Sequence, residues 1–286
     1  MKADTATGGA TGHSWIWVGL PMVAAIGLYA PIFPSLVWEW ATFPNLSHGF
    51  AIPVIAGYLL WARRDRIQGA PIEPSAWGLP LLVLGLGSLV VGVQGAEPFV
   101  ARVSLLLTLL GLVVFLAGWT VARHTWAGIA YLLFMVPLPW ATLKLITYRS
   151  RLLDADVSAR ALGWLGVPVY RDGVLLHLPN ITLEVADECS SIPAIAALLS
   201  LGVAYASLTS RPLAARLILI LATLPLAITA NIIRITSVAA GVYYIGPWTL
   251  QTTYHMFNGT VNFLFTFFLL LALDSMMGRW VKGRTG

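Results

Sequence analysis

Eight largely apolar runs recur along the chain, at 15–37, 48–62, 77–94, 99–120, 124–140, 191–208, 213–242 and 256–277, with polar or charged stretches between them. A helix needs about 20 such residues to cross roughly 30 Å of hydrocarbon. The pattern therefore predicts about eight transmembrane helices, of which the second and fifth are short. The first run exceeds the core of a signal peptide and is followed by no persuasive cleavage site, so it reads as an uncleaved span.

Between the fifth and sixth runs the pattern changes twice. In WATLKLITYRSRLLDADVSARALGWLG, Ile146, Leu153, Val157, Ala161 and Trp164 recur at helical spacing, which predicts a helix lying on the membrane surface. In VPVYRDGVLLHLPNITLEVADE, turn signals at Asp172-Gly173 and Pro179-Asn180 separate Val167–Tyr170, Val174–Leu178 and Ile181–Val185. Three short strands in a meander follow from that spacing. The expected fold is an all-α polytopic membrane protein whose external face carries a surface helix and a small β-meander. A disordered cytoplasmic N-terminus (1–14), a single transmembrane catalytic domain (15–277, with 141–190 as an external cap) and a basic cytoplasmic tail (278–286) complete it.

Composition supports a bilayer setting. Of 286 residues, 58% are hydrophobic and 10% charged, against about a quarter charged in a soluble domain. Arg63, Arg64, Arg66, Arg123, Arg211, Arg216, Arg279, Lys282 and Arg284 fall in alternate loops, together with Lys2, whereas TFPNLSHG, QGAEP and GPWTLQTTY carry no Lys or Arg. Basic loops stay inside, so both termini are expected in the cytoplasm of a cell whose plasma (inner) membrane holds the chain. Residues 141–190 are basic too, but Asp154, Asp156, Asp172, Glu184, Asp187 and Glu188 offset that charge. The net charge of +5 is accounted for by loops, and no basic stretch interleaved with aromatics points to nucleic acid. One cysteine excludes an internal disulfide, and neither paired cysteines nor HExxH suggests a metal. Gly85, Gly87, Gly92, Gly111 and Gly118 read as close helix-packing positions.

Three side chains with chemical capability sit at one predicted depth, the external edge. Cys189 precedes the sixth run in DECSSIP, where Ser190 or Ser191 can cap the helix and Pro193 suits its first turn. The helix N-terminus favours thiolate and could stabilise an oxyanion, while Asp187 and Glu188 oppose the thiolate. A single cysteine is more often an inert small apolar group. Arg234 lies 18 residues beyond Arg216, about 27 Å along a helix, and must find a partner or water. It is either a snorkelling interfacial arginine or, with Asn231 on its face, a group of the bundle interior. His255 opens the last run, sharing a face with Asn258, Gly259, Asn262 and Thr266. His48, in NLSHGF, either helps bind substrate or caps a helix. Thiol, guanidinium and imidazole together can supply nucleophile, anion stabiliser and proton carrier. The rival is a transporter or exporter subunit for polysaccharide or lipid-linked material, with Arg234 and His255 lining a pathway. The lack of an inverted pair of broken helices weighs against it.

The ordered set of Cys189 in AxECSS, Asn231-Ile232-Ile233-Arg234 and His255 resembles the exosortase/archaeosortase family, as do Ser47-His48-Gly49 and the MVPLP stretch at 135–139. The family commonly has Gly two residues after the cysteine, where this chain has Ser191. The resemblance implies a membrane-embedded cysteine transpeptidase without cofactor. Its substrates would be secreted proteins carrying a C-terminal motif such as PEP, a transmembrane helix and a basic tail. Cys189, Arg234 and His255 would be catalytic, with Asn231, His48, Ser190 and Asn258 supporting. Neither the acceptor nucleophile nor the oligomeric state follows from the sequence.

Overall fold

Every apolar run is largely helical, the fifth leaving the helix at residues 136–139. The structure, a computed structural model, describes residues 10–283, with side chains from Trp17 to Gly278 except Glu188 and residues 252–256. The expectations placed on residues 1–9, on the His255 side chain and on the end of the basic tail lie outside the described residues. The helices are α1 (Ala10–Leu28), α2 (Phe33–Thr42), α3 (Ala51–Trp61), α4 (Arg64–Gln68), α5 (Gly78–Gln94), α6 (Pro98–Ala117), α7 (Trp119–Tyr131), α8 (Trp140–Trp164), α9 (Ser191–Leu208), α10 (Leu213–Tyr244) and α11 (Thr252–Gly283). Among the described residues, five spans are long and apolar enough to cross a membrane: Trp17–Thr42, Pro98–Ala117, Ser191–Leu208, Leu213–Tyr244 and Phe257–Gly278. Trp119–Met135 and Trp140–Trp164 taken together make a sixth candidate. That is fewer than the eight expected, because α3 has only 11 residues and α5 has 17. A tight 3-10 turn at Pro44–Phe50 takes up residues that the hydropathy pattern assigned to the second span.

The described contacts cluster into two units, Met1–Pro139 and Trp140–Gly286. In the first, α5 and α6 pack backbone to backbone. A Cβ on Gly85 would stand 2.5 Å from Thr108 Oγ1, one on Gly92 2.5 Å from the Ala101 nitrogen, and one on Gly111 2.8 Å from the Leu82 nitrogen. Small residues let membrane helices approach this closely. Two glycines depart from that expectation. Gly87 meets open space, and Gly118 has φ +87° in the turn between α6 and α7, where a side chain would strike the Glu73 carbonyl. The same unit buries a charge that the sequence reading passed over. Arg102, 4% exposed, grips Glu39 through bonds of 2.6 and 2.9 Å, with Ser35 at 3.3 Å.

In the second unit, β1 (Tyr170–Asp172), β2 (Leu175–His177) and β3 (Thr182–Glu184) form the expected antiparallel meander, with Leu176 opposite both Arg171 and Leu183. Three strands of three residues cannot stand by themselves. Leu176, Leu178 and Val185 therefore pack on Ala155 and Leu162 of α8 and Ala239 of α10. Helix α8 turns an unexpected face inward. Thr147, Asp154, Ala155, Ser158 and Leu162 are buried, while Ile146, Leu153 and Trp164 are exposed. Asp154, read from sequence as one of several carboxylates balancing loop charge, is fully buried.

Candidate active site

Cys189 closes a short 3-10 turn, Asp187–Cys189, wedged between β3 and α9. The turn is held by Arg151 of α8, whose guanidinium donates to the Val185 carbonyl, to Glu184 at 2.6 Å and to Asp187 at 2.8 Å. From the sequence, Asp187 is expected to oppose a thiolate. Arg151 is the cation that Asp187 meets.

Ser190 occupies the N-cap position of α9, with extended backbone (φ −74°, ψ 162°), but its side chain makes no capping bond. That corrects the expectation of a serine cap, since the Ser190 hydroxyl is buried without a hydrogen-bond partner among the described residues. The cap comes from elsewhere. The Ser191 amide donates to Asp154 Oδ2 at 2.8 Å and its hydroxyl donates to Asp154 Oδ1 at 2.5 Å. A carboxylate at the first turn satisfies an orphan donor and complements the helix dipole. The amides of Cys189 and Ser190 are also engaged, by Ala186 and Asp187 carbonyls at 3.0 and 3.2 Å. The amides of residues 189, 190 and 191 are thus all engaged.

Asn231 of α10 reaches the same turn. Its amide donates to the Cys189 carbonyl at 2.8 Å and to Asp154 Oδ2 at 3.2 Å. Three residues on, Arg234 lines an open cleft of about 100 Å³ with Cys189, whose other walls include Leu176, Leu183, Val185 and Val238. Its guanidinium also lies against α11, where a Cβ on Gly259 would stand 3.5 Å away. His255 lies four residues before Gly259 on α11, and its side chain is outside the described residues. The polar stripe of α11 turns toward α10 as expected: Asn258 donates to Ser237 at 3.1 Å and Asn262 to the Ala230 carbonyl at 2.6 Å. Below Arg234, Asn231, Asn262 and Thr266 line a second, smaller cavity.

His48 belongs to the first unit, in the turn before α3. It does not cap that helix. Burial lowers its pKa below the usual imidazole range, against the opposing effect of bonds to the main chain of Asn45 and Phe134.

Asp154 and Arg151 are the residues whose place in the site sequence reading missed. Asp154 and Arg151 sit in a polar helix among many similar charges, and nothing local distinguishes them. The only signal was the side of α8 with Thr147, Asp154, Ala155 and Ser158, whose small and polar residues face inward.

Together the fold and site define a polytopic membrane protein carrying a thiol and a guanidinium in one largely apolar cleft. Residues 40–272 match the model described as Transmembrane exosortase (Exosortase_EpsH), and the chain belongs to the transmembrane exosortase family. Membership implies a transpeptidase-like enzyme acting on proteins, since exosortases process PEP-CTERM proteins. No curated protein and no solved structure matched the chain.

Proposed function

We propose that the chain is a cysteine protease/transpeptidase of the inner membrane that cuts C-terminal sorting signals at the external face, with both termini in the cytoplasm. The observation that carries this reading is the cleft shared by Cys189 and Arg234. The Cys189 thiol passes its proton to His255, and the thiolate attacks the carbonyl of the scissile peptide bond, forming a thioester while the C–N bond breaks. His255 gives the departing amine its proton and then takes one from the incoming amine or water, which resolves the thioester. Arg234 stabilises the tetrahedral oxyanion, a role left to a side chain because the amides of residues 189–191 are engaged. The walls of the cleft suit an extended segment emerging from a substrate helix, whose basic tail remains inside.

An exporter would need polar groups continuing across the bundle. On α11 the stripe stops at Thr266 and the next polar residue, Asp274, is tied to Tyr205 at 2.9 Å and Arg211 at 3.0 Å. The test is a reporter protein bearing a PEP motif, a transmembrane helix and a basic tail, co-expressed with Cys189→Ala. Processing should stop while the variant still inserts in the membrane. Processing at the normal rate would end the covalent mechanism.

A further inference from the structure

Asp154 has no part in the chemistry above, yet it is the most completely enclosed carboxylate of the site, with none of its surface exposed. Burying a carboxylate is costly unless donors surround it. Four neutral donors do so: the Ser191 amide at 2.8 Å, the Ser191 hydroxyl at 2.5 Å, the Ser150 hydroxyl at 3.2 Å and the Asn231 amide at 3.2 Å. These donors come from three elements, namely α8 itself, the start of α9 and the middle of α10. If the task were only to hold helices together, apolar packing would serve at less cost. What the carboxylate adds is directional control of one turn. It holds Ser191, two residues after the thiol, by both backbone and side chain. Through Asn231 it reaches the carbonyl of Cys189 itself at 2.8 Å. Asn231 stands three residues before Arg234, on the same side of α10.

We infer that Asp154 is the positioning residue of this site, fixing the C-terminal end of the Cys189 turn in register with the helix that carries Arg234. The Ser191 hydroxyl supplies the shortest of the four bonds. The inference rests on the thiol reading proposed above.

The test uses the full chain in proteoliposomes with the PEP reporter, following turnover against reporter density. Asp154→Asn keeps the shape but turns an N–H toward the Ser191 and Asn231 donors. It should lower kcat at least ten-fold with KM within two-fold of wild type. Asp154→Glu, which restores the carboxylate, should recover part of that loss, whereas a merely structural role would be filled as well or better by the isosteric Asn. Ser191→Ala deletes a single hydroxyl and leaves the backbone bond, so it serves if Asp154→Asn fails to fold; kcat should drop about three-fold or more at unchanged KM. Wild-type kcat in these variants, or a loss confined to KM, overturns the positioning role while Cys189→Ala remains inactive. Turnover by Cys189→Ala instead defeats the thiol chemistry, and the positioning role with it.

Discussion

Replacing Arg151 by Met would test whether the reactive turn owes its order to α8. The guanidinium is 12% exposed, while its partners Glu184 and Asp187 are more than half exposed. The two ion pairs are therefore largely screened and contribute about 0.2–1 kcal/mol each. The bond to the Val185 carbonyl is charge-assisted and sheltered, so its loss is the larger effect, at about 1.5–3 kcal/mol. Together these place the cost of Arg151→Met near about 2–5 kcal/mol, concentrated on residues 183–190. With every 1.4 kcal/mol worth ten-fold, local opening should rise roughly thirty- to a few-thousand-fold. Hydrogen–deuterium exchange of the full chain in detergent reads this directly, with the amides of α6 as an internal standard. Labelling of Cys189 by a membrane-impermeant maleimide should accelerate in parallel, and the chain has no other thiol to confuse the signal. Arg151→Lys should fall between the two, since a point charge cannot fork across three acceptors. Exchange within three-fold of wild type in Arg151→Met would refute the assignment of the turn's stability to this clamp.

Three further outcomes follow from the packing. Glu39→Ala leaves the buried Arg102 guanidinium without its carboxylate and should cost about 3–5 kcal/mol, whereas the Glu39→Met/Arg102→Met pair should cost far less; thermal unfolding in detergent decides between them. At Gly259 a single added carbon makes ordinary contact with Arg234, so Gly259→Leu should reduce reporter processing at least ten-fold and Gly259→Ala much less. Burial favours neutral His48 in the folded chain, so the unfolded chain binds the proton first. The stability this confers is complete above about pH 6.5 and declines as pH falls below it. Melting curves from pH 8 to pH 5 should show that decline, and His48→Gln should flatten it.

How much of this was legible beforehand depends on the range of the interaction. Apolar runs and turn signals are local, so the helices and the three strands around Asp172-Gly173 and Pro179-Asn180 could be read directly. The number of full spans could not, because hydropathy alone does not reveal where a 3-10 turn such as Pro44–Phe50 shortens a run. The glycine positions divide the same way. Gly85, Gly92 and Gly111 face a neighbouring helix and Gly87 does not, a matter of rotation that composition leaves open.

The sequence by itself determined a membrane protein, a single thiol at a helix start, Asn231 and Arg234 on one helical side, and a polar stripe on α11. Each of these depends on hydropathy or on the 3.6-residue repeat, which neighbours along the chain define. Only the tertiary structure decided which donors remain for chemistry. It brought Asp154 from 37 positions away to occupy the Ser191 amide and hydroxyl, and Arg151 from 36 away to take up Asp187. A buried carboxylate and an exposed one read alike in a polar helix, and their difference arises from what folds against them.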